Sequence, residues 1–196
     1  ADFNRDLFWL ASRDLIVTIF LLLVGISLML ARRAGIARSQ FWRRIVLVGA
    51  CAILVTVGSY AAFPKTFITF GILHCIVISS LLGWPMTRYP RAATILGIVV
   101  IAVGAAIGVA LFDLPWLNWI GLMTHRPATE DYVPLLPWFG VVLVGIGIGN
   151  WLTQRRLPAM QRMSRDSPRW LVWLGRHSLL VYMVHQPILL WLLRVF

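Results

Sequence analysis

Six stretches of the chain carry few or no charges: residues 15–31, 45–64, 66–87, 92–112, 132–154 and 177–193. Each is about 17–23 residues long, the length a helix rising 1.5 Å per residue needs to cross about 30 Å of hydrocarbon. The apolar positions are continuous and lack the alternation of a membrane strand, which needs only about 10 residues. The pattern predicts an all-α fold, a polytopic membrane helix bundle of about six transmembrane helices in a single domain over 1–196. A signal peptide accounts for one short apolar core and not for six.

Short turns join these runs, at 63–67 around Pro64 and at 83–91 around Pro85 and Pro90. One connection, 113–133, is longer and carries Trp116, Trp119, His125, Glu130 and Asp131; long loops are where function tends to sit. Small residues recur four apart at Gly104/Gly108 and Gly145/Gly149, a spacing that lets helices approach closely. Val-Gly-Ile occurs at 24–26 and again at 144–146, a weak hint of internal repetition.

Composition sharpens the membrane reading. Hydrophobic residues make up 60% of the chain and charged residues 13%, against about 25% charged in soluble domains. The net charge of +11 would suit nucleic acid only on a soluble basic face, and no such face exists between these runs. Cys51 and Cys75 lie inside apolar runs, far apart and without ligand spacing, so they read as packed hydrophobes. No metal is expected.

Charge also gives an orientation. Arg32, Arg33, Arg38, Arg43, Arg44, Arg88, Arg91, Arg155, Arg156, Arg162, Arg165, Arg169 and Arg176 fall on one side, 13 of the 18 basic residues. Asp2, Asp6, Asp14, Asp113, Glu130 and Asp131 fall on the other. The positive-inside rule makes the basic side cytoplasmic and puts the N-terminus outside. The expected location is the cell (inner) membrane, multi-pass, with the bilayer as partner and no nucleic acid; a homodimer is compatible with this. The outward start and the lack of an initiating Met lead us to expect one more helix before Ala1.

Ionisable groups inside a membrane are costly and commonly functional. His74 stands about eight residues into the third run, roughly 12 Å deep at 1.5 Å per residue, and His185 stands at similar depth in the last. Asp14 opens the first run and Asp131 the fifth. These four are the candidate catalytic groups, since a His with a carboxylate partner is the usual base for activating a hydroxyl or amine. The competing reading is structural: each His bonding a neighbouring helix, each Asp sitting at a helix start. Pro187 beside His185, and Pro134 and Pro137 in the fifth run, predict bends. Arg43 and Arg44 could meet an anionic cofactor, and anionic lipid would use them equally. No Walker loop, GxSxG or HExxH is present.

Three segments carry a family resemblance: Phe-Gly-Ile-Leu-His-Cys-Ile at 70–76, Asp-Tyr-Val-Pro-Leu-Leu-Pro-Trp-Phe-Gly at 131–140, and Leu-Gly-Arg-His-Ser-Leu-Leu-Val-Tyr-Met-Val-His-Gln-Pro at 174–187. They resemble the catalytic domain of heparan-alpha-glucosaminide N-acetyltransferase and its small bacterial relatives, within the wider transmembrane acyltransferases. The resemblance spans nearly the whole chain. It implies transfer of an acetyl group from cytosolic acetyl-CoA, as co-substrate, to an amino sugar or glycan across the membrane. Ser178, Tyr182 and His185 stand where the family has a Ser, Tyr and His; we prefer His185 as base, with Asp131 or Asp14 orienting it and Tyr182 and Ser178 in support, the alternatives being His74 or a segment before Ala1. Trp138 and His125 are further candidate acceptor contacts, and Arg176 and His177 would meet the cofactor's phosphates. The family domain begins with a further helix, and the catalytic His of the animal enzymes follows it; this chain has no His between Ala1 and Phe8. The rival expectation is a non-enzymatic transporter or accessory subunit whose histidines bind a ligand or conduct protons.

Overall fold

The computed structural model describes residues 7–62, 64, 66–114, 116–125, 131–155, 168, 170, 173, 175, 177 and 179–184. Among the described residues five long helices account for the first unit, 1–153, and the start of the second, 154–196. They are α1 (Leu7–Arg33), α2 (Arg38–Ala62), α3 (Ile72–Met86), α4 (Pro90–Ala106) and α5 (Leu135–Arg155). Two 3₁₀ turns, Ala110–Asp113 and Asn118–Ile120, lie in the α4–α5 connection. No strand occurs among the described residues. Three helical stretches, within α1, α2 and α5, are long and apolar enough to cross a membrane. The chain is a helical membrane protein, as the apolar runs predict.

The helix ends have local causes. Arg32 and Arg33 fill the last turn of α1, where cations complement the helix dipole. Gly35 then takes φ +65°, and Ile36 N donates to Ala31 O while Gly35 N donates to Arg32 O. This is the paired bonding that closes a helix on a left-handed glycine. α2 starts two residues later, so α1 and α2 form a hairpin. Pro90 opens α4 at a position where its missing N–H costs nothing.

α3 packs against α1, α2 and α4, and α5 crosses α1 and α4 at close range through glycines. Gly25 of α1 and Gly145 of α5 face each other: a Cβ on Gly145 would lie 3.1 Å from Gly25 Cα and would collide with the Leu22 carbonyl oxygen. Gly149 packs on Ile26 of α1 in the same row. On the α4 side, Gly97 and Gly140 meet backbone to backbone, with Cβ positions 2.7 and 2.6 Å from each other's carbonyl oxygens. The core where these helices converge contains Met29, Ala93, Leu143 and Ile146. The two Val-Gly-Ile segments are thus the two sides of one helix crossing.

Several element boundaries differ from the sequence expectation. α3 begins at Ile72, and residues 66–71 are not helical. His74 is therefore in the first turn of α3, not eight residues deep. α4 ends at Ala106, six residues before the apolar run does, because Ile107 adopts an extended backbone and Val109 N donates to Leu122 O at 2.8 Å. α1 begins at Leu7, so Asp14 sits two turns inside the helix and does not open it. Arg43 and Arg44 lie in the second turn of α2. Pro85 is accommodated in the last turn of α3. The expected irregularity at Pro134 and Pro137 is present: Leu136 leaves helical geometry at φ −102°, ψ 133°. Cys51 and Cys75 are free, and Cys75 is buried.

Candidate active site

The end of the bundle that carries Asp14, Asp113 and Asp131 is covered by the connection between α4 and α5. That connection folds back onto the start of α3. Val133 N donates to Phe70 O at 3.4 Å, and the Tyr132 hydroxyl donates to Asn118 O. Asp131 precedes α5 in sequence, but its carboxylate serves α3: Oδ2 accepts the Ile72 N–H at 3.2 Å. That N–H is one of the first four in a helix, which have no partner inside it, and a negative charge there is favoured by the dipole. Gly71 makes the approach feasible, since a Cβ on it would lie 2.7 Å from Asp131 Oδ2.

His74 serves the same helix end. The Gly71 N–H donates to His74 Nδ1 at 3.4 Å. An Nδ1 that accepts carries no proton, so the neutral ring holds its proton on Nε2. Nε2 faces Thr56 Oγ1 of α2 at 3.4 Å and donates to it. Two adjacent backbone donors, Gly71 and Ile72, thus bring an imidazole and a carboxylate to one place.

Arg13 of α1 completes the electrostatics. Its Nη2 donates to Tyr132 O at 2.7 Å, and its charge acts on Asp131. Burial pushes the Asp131 carboxyl above its ordinary value; the Ile72 N–H, Arg13 and His74 oppose that shift without cancelling it.

Beside this cluster lies a groove of about 270 Å³ lined by Thr69, Phe70, Ile78, Trp116, Asn118 and Trp119. Phe70 links the two: its ring centroid is 5.6 Å from that of His74 and 5.9 Å from that of Trp119. Trp116 is 69% exposed. A flat, largely apolar ligand face with polar edges fits such a lining, with Thr69 and Asn118 supplying hydrogen bonds.

His125 is 88% exposed and belongs to a separate clasp. Thr124 donates its hydroxyl to Asp113 Oδ2 and its N–H to Oδ1, and His125 Nδ1 is 2.7 Å from Thr124 Oγ1. These bonds, the Thr124 hydroxyl foremost, hold the Asp113 carboxyl below its usual range.

Of the expected site residues, His74 and Asp131 come together. Asp14 does not join them: among the described residues no hydrogen bond or ion pair links its carboxylate to either. Trp138 lies near the start of α5, half-buried and outside the groove lining. Arg44 Nη1 donates to Ser27 Oγ of α1 at 2.9 Å, while Arg43 is exposed. In the second unit, the His177 ring stacks on Trp173 at 4.5 Å, and its Nδ1 donates to Trp173 O at 2.9 Å. Tyr182 is helical and half-buried. His185, Ser178 and Arg176 lie outside the described residues. Arg13 and Thr56 were missed from the sequence. The only available signal for Arg13 was a basic residue on the side where acids predominate.

The family model for heparan-alpha-glucosaminide N-acetyltransferase, catalytic, matches residues 1–187. No curated protein and no solved structure matches the chain.

Proposed function

Because the chain belongs to the heparan-alpha-glucosaminide N-acetyltransferase catalytic family, a family of membrane acetyltransferases, we propose that it moves acetyl from acetyl-CoA to an amino sugar or glycan. The observation that carries the acceptor side is the groove of Trp116, Trp119 and Phe70 beside His74 and Asp131. Indole faces exposed next to hydrogen-bonding groups suit the apolar face and polar rim of a pyranose. The orientation of basic residues supports the inner membrane, with this groove on the outer side.

In the proposed reaction the acceptor nitrogen or oxygen attacks the thioester carbonyl. The new C–N or C–O bond forms as the C–S bond breaks. The acceptor's proton passes to a base and then to the departing thiolate. His185 is our candidate base, with Tyr182 and Ser178 in support. Asp131 and His74 hold the start of α3 in place beside the acceptor. The donor is proposed to enter from the arginine-rich side, with Arg43 in the first unit and Arg176 and His177 in the second as separate candidates for its phosphates; Arg44 would need to release Ser27 to take part.

Transfer of labelled acetyl from acetyl-CoA to a panel of amino sugars, by purified protein in lipid nanodiscs, tests the reading. His185→Ala should abolish turnover with the melting temperature unchanged, and Trp116→Ala should raise the acceptor KM with kcat retained. Acetyl-CoA binding without transfer to any sugar would overturn the acceptor assignment. Near-normal turnover in His185→Ala would overturn the choice of base.

A further inference from the structure

A second groove, of about 360 Å³, lies at the opposite, basic end of the bundle. Its walls are Ile36, Arg38, Phe41 and Trp42, at the start of α2, and Leu81 and Trp84, near the end of α3. Phe41 and Trp84 stack at 4.5 Å with 28° between their planes and form the floor. The rim is apolar yet open: Ile36 is 39% exposed, Trp42 45% and Leu81 37%.

The charge in this groove is unbalanced. Arg38 is exposed and has no hydrogen bond or ion pair among the described residues. Five arginines fall within 32–44, and no carboxylate occurs anywhere between Asp14 and Asp113. The surroundings therefore ask for an anion from outside the chain. They also ask for an apolar body, because Ile36, Trp42 and Leu81 would otherwise face water. A small hydrophilic anion answers only the first demand.

The outer surface of α2 indicates which environment the groove opens to. Val46, Leu47, Ile53, Leu54 and Val57 are all exposed along it, which in a membrane helix means contact with lipid. Tryptophan beside arginine at the end of such a helix is the composition of a membrane–water interface. We propose that this groove is a binding site for an anionic phospholipid, with the phosphate on Arg38 and the glycerol and upper acyl chains along Trp42, Ile36 and Leu81.

Native mass spectrometry of the detergent-purified chain tests this. Phosphatidylglycerol and phosphatidylcholine of identical acyl chains would be added at equal concentration, with Arg38→Gln and Arg91→Gln variants in parallel. Arg91 is an exposed arginine of the same end that does not line the groove. We expect phosphatidylglycerol to be retained several-fold over phosphatidylcholine. Arg38→Gln should lower that preference about fivefold, the effect of one basic side chain near an anionic lipid surface, and Arg91→Gln should leave most of it. Trp42→Ala should shorten retention of both lipids. Equal retention of the two lipids by the parent chain, or equal losses in the two arginine variants, would overturn the proposal. So would displacement of the lipid by millimolar inorganic phosphate or by acetyl-CoA, which would make the groove a site for soluble phosphates.

Discussion

Replacing Gly145 with alanine should weaken the bundle, even though alanine is the better helix former. The added Cβ would stand 3.1 Å from Gly25 Cα and would overlap the Leu22 carbonyl oxygen. Carbon atoms pack best at about 3.5–4.0 Å, and a gap of 0.5–1 Å forfeits about a quarter to a half of the attraction across it. Both obstacles are backbone, so no rotamer relieves them and α1 must move off α5. Overpacking of this kind costs about 1–3 kcal/mol, and the upper half of that range applies because a whole crossing opens. Alanine returns about 1 kcal/mol in helix propensity. The net is a loss of about 1–2 kcal/mol, or roughly 2–8 °C in melting temperature for a chain of this size. Gly58 of α2 is the matched control, since a Cβ there meets nothing within 4 Å; its alanine variant should gain about 0.5–1 kcal/mol. Thermal unfolding in one detergent, followed by thiol-reactive dye or tryptophan emission, compares the two. A Gly145→Ala protein that melts at or above the parent would refute the crossing. The Gly25→Ala/Gly145→Ala double variant should lose less than the sum of the single losses, because the first substitution already parts the helices.

Asp131 gives a pH signature. Its carboxyl is raised by burial, so the unionised form favours the fold. This contribution is complete below the ordinary value of 3.8 and fades as pH rises through the higher folded value. Asp131→Asn should flatten that part of the profile in a melting-temperature series, and a slope unchanged from the parent would count against the burial argument. Asp131→Ala should in addition lose the Ile72 cap, about 1 kcal/mol. Asp113 runs the other way: its lowered carboxyl supports the loop above pH 3.8 and releases it as the pH falls through the folded value. Amide exchange at Thr124 and His125 should accelerate there in the parent and be fast throughout in Asp113→Ala. Gly71→Ala should displace Asp131 from Ile72 and cut acetyl transfer without reaching the groove, which single-turnover rates would report; undiminished rates would separate the helix cap from catalysis.

Much of this architecture is legible in the sequence. The apolar runs locate α1, α2 and α5, and the Gly145/Gly149 spacing marks a close crossing. What spacing could not supply was the partner, and the paired Val-Gly-Ile segments read as a repeat until the structure set them against each other. The acidic-end boundaries of α3 and α4 were hidden for a physical reason. Ile68, Phe70, Ile107 and Val109 are as apolar as their helical neighbours, and hydropathy does not distinguish helical from extended apolar chain. His74 and Asp131 were both candidates in the sequence, but what brings them together was not visible there: both bind backbone donors at the start of one helix. Arg13 touches Tyr132 across 119 positions of sequence, a separation no local pattern encodes.

The lengths of α3 and α4 carry a consequence for the membrane itself. With 15 and 17 residues, they reach about 22 and 26 Å, against about 30 Å of hydrocarbon. The shortfall falls at the acidic end, where 66–71 and 107–109 continue as non-helical chain. Such backbone survives at membrane depth only against protein or water, and here the Phe70, Val109 and Ile72 bonds to the folded-back connection provide the protein. A short span is met by bilayer thinning, by snorkelling of flanking residues or by oligomerising, and thinning beside this pair would bring the water interface down to the groove. Under the proposed acetyl transfer, a polar acceptor would then descend about 4–8 Å less into an apolar slab, and a donor arm threading from the far side would have that much less to cross.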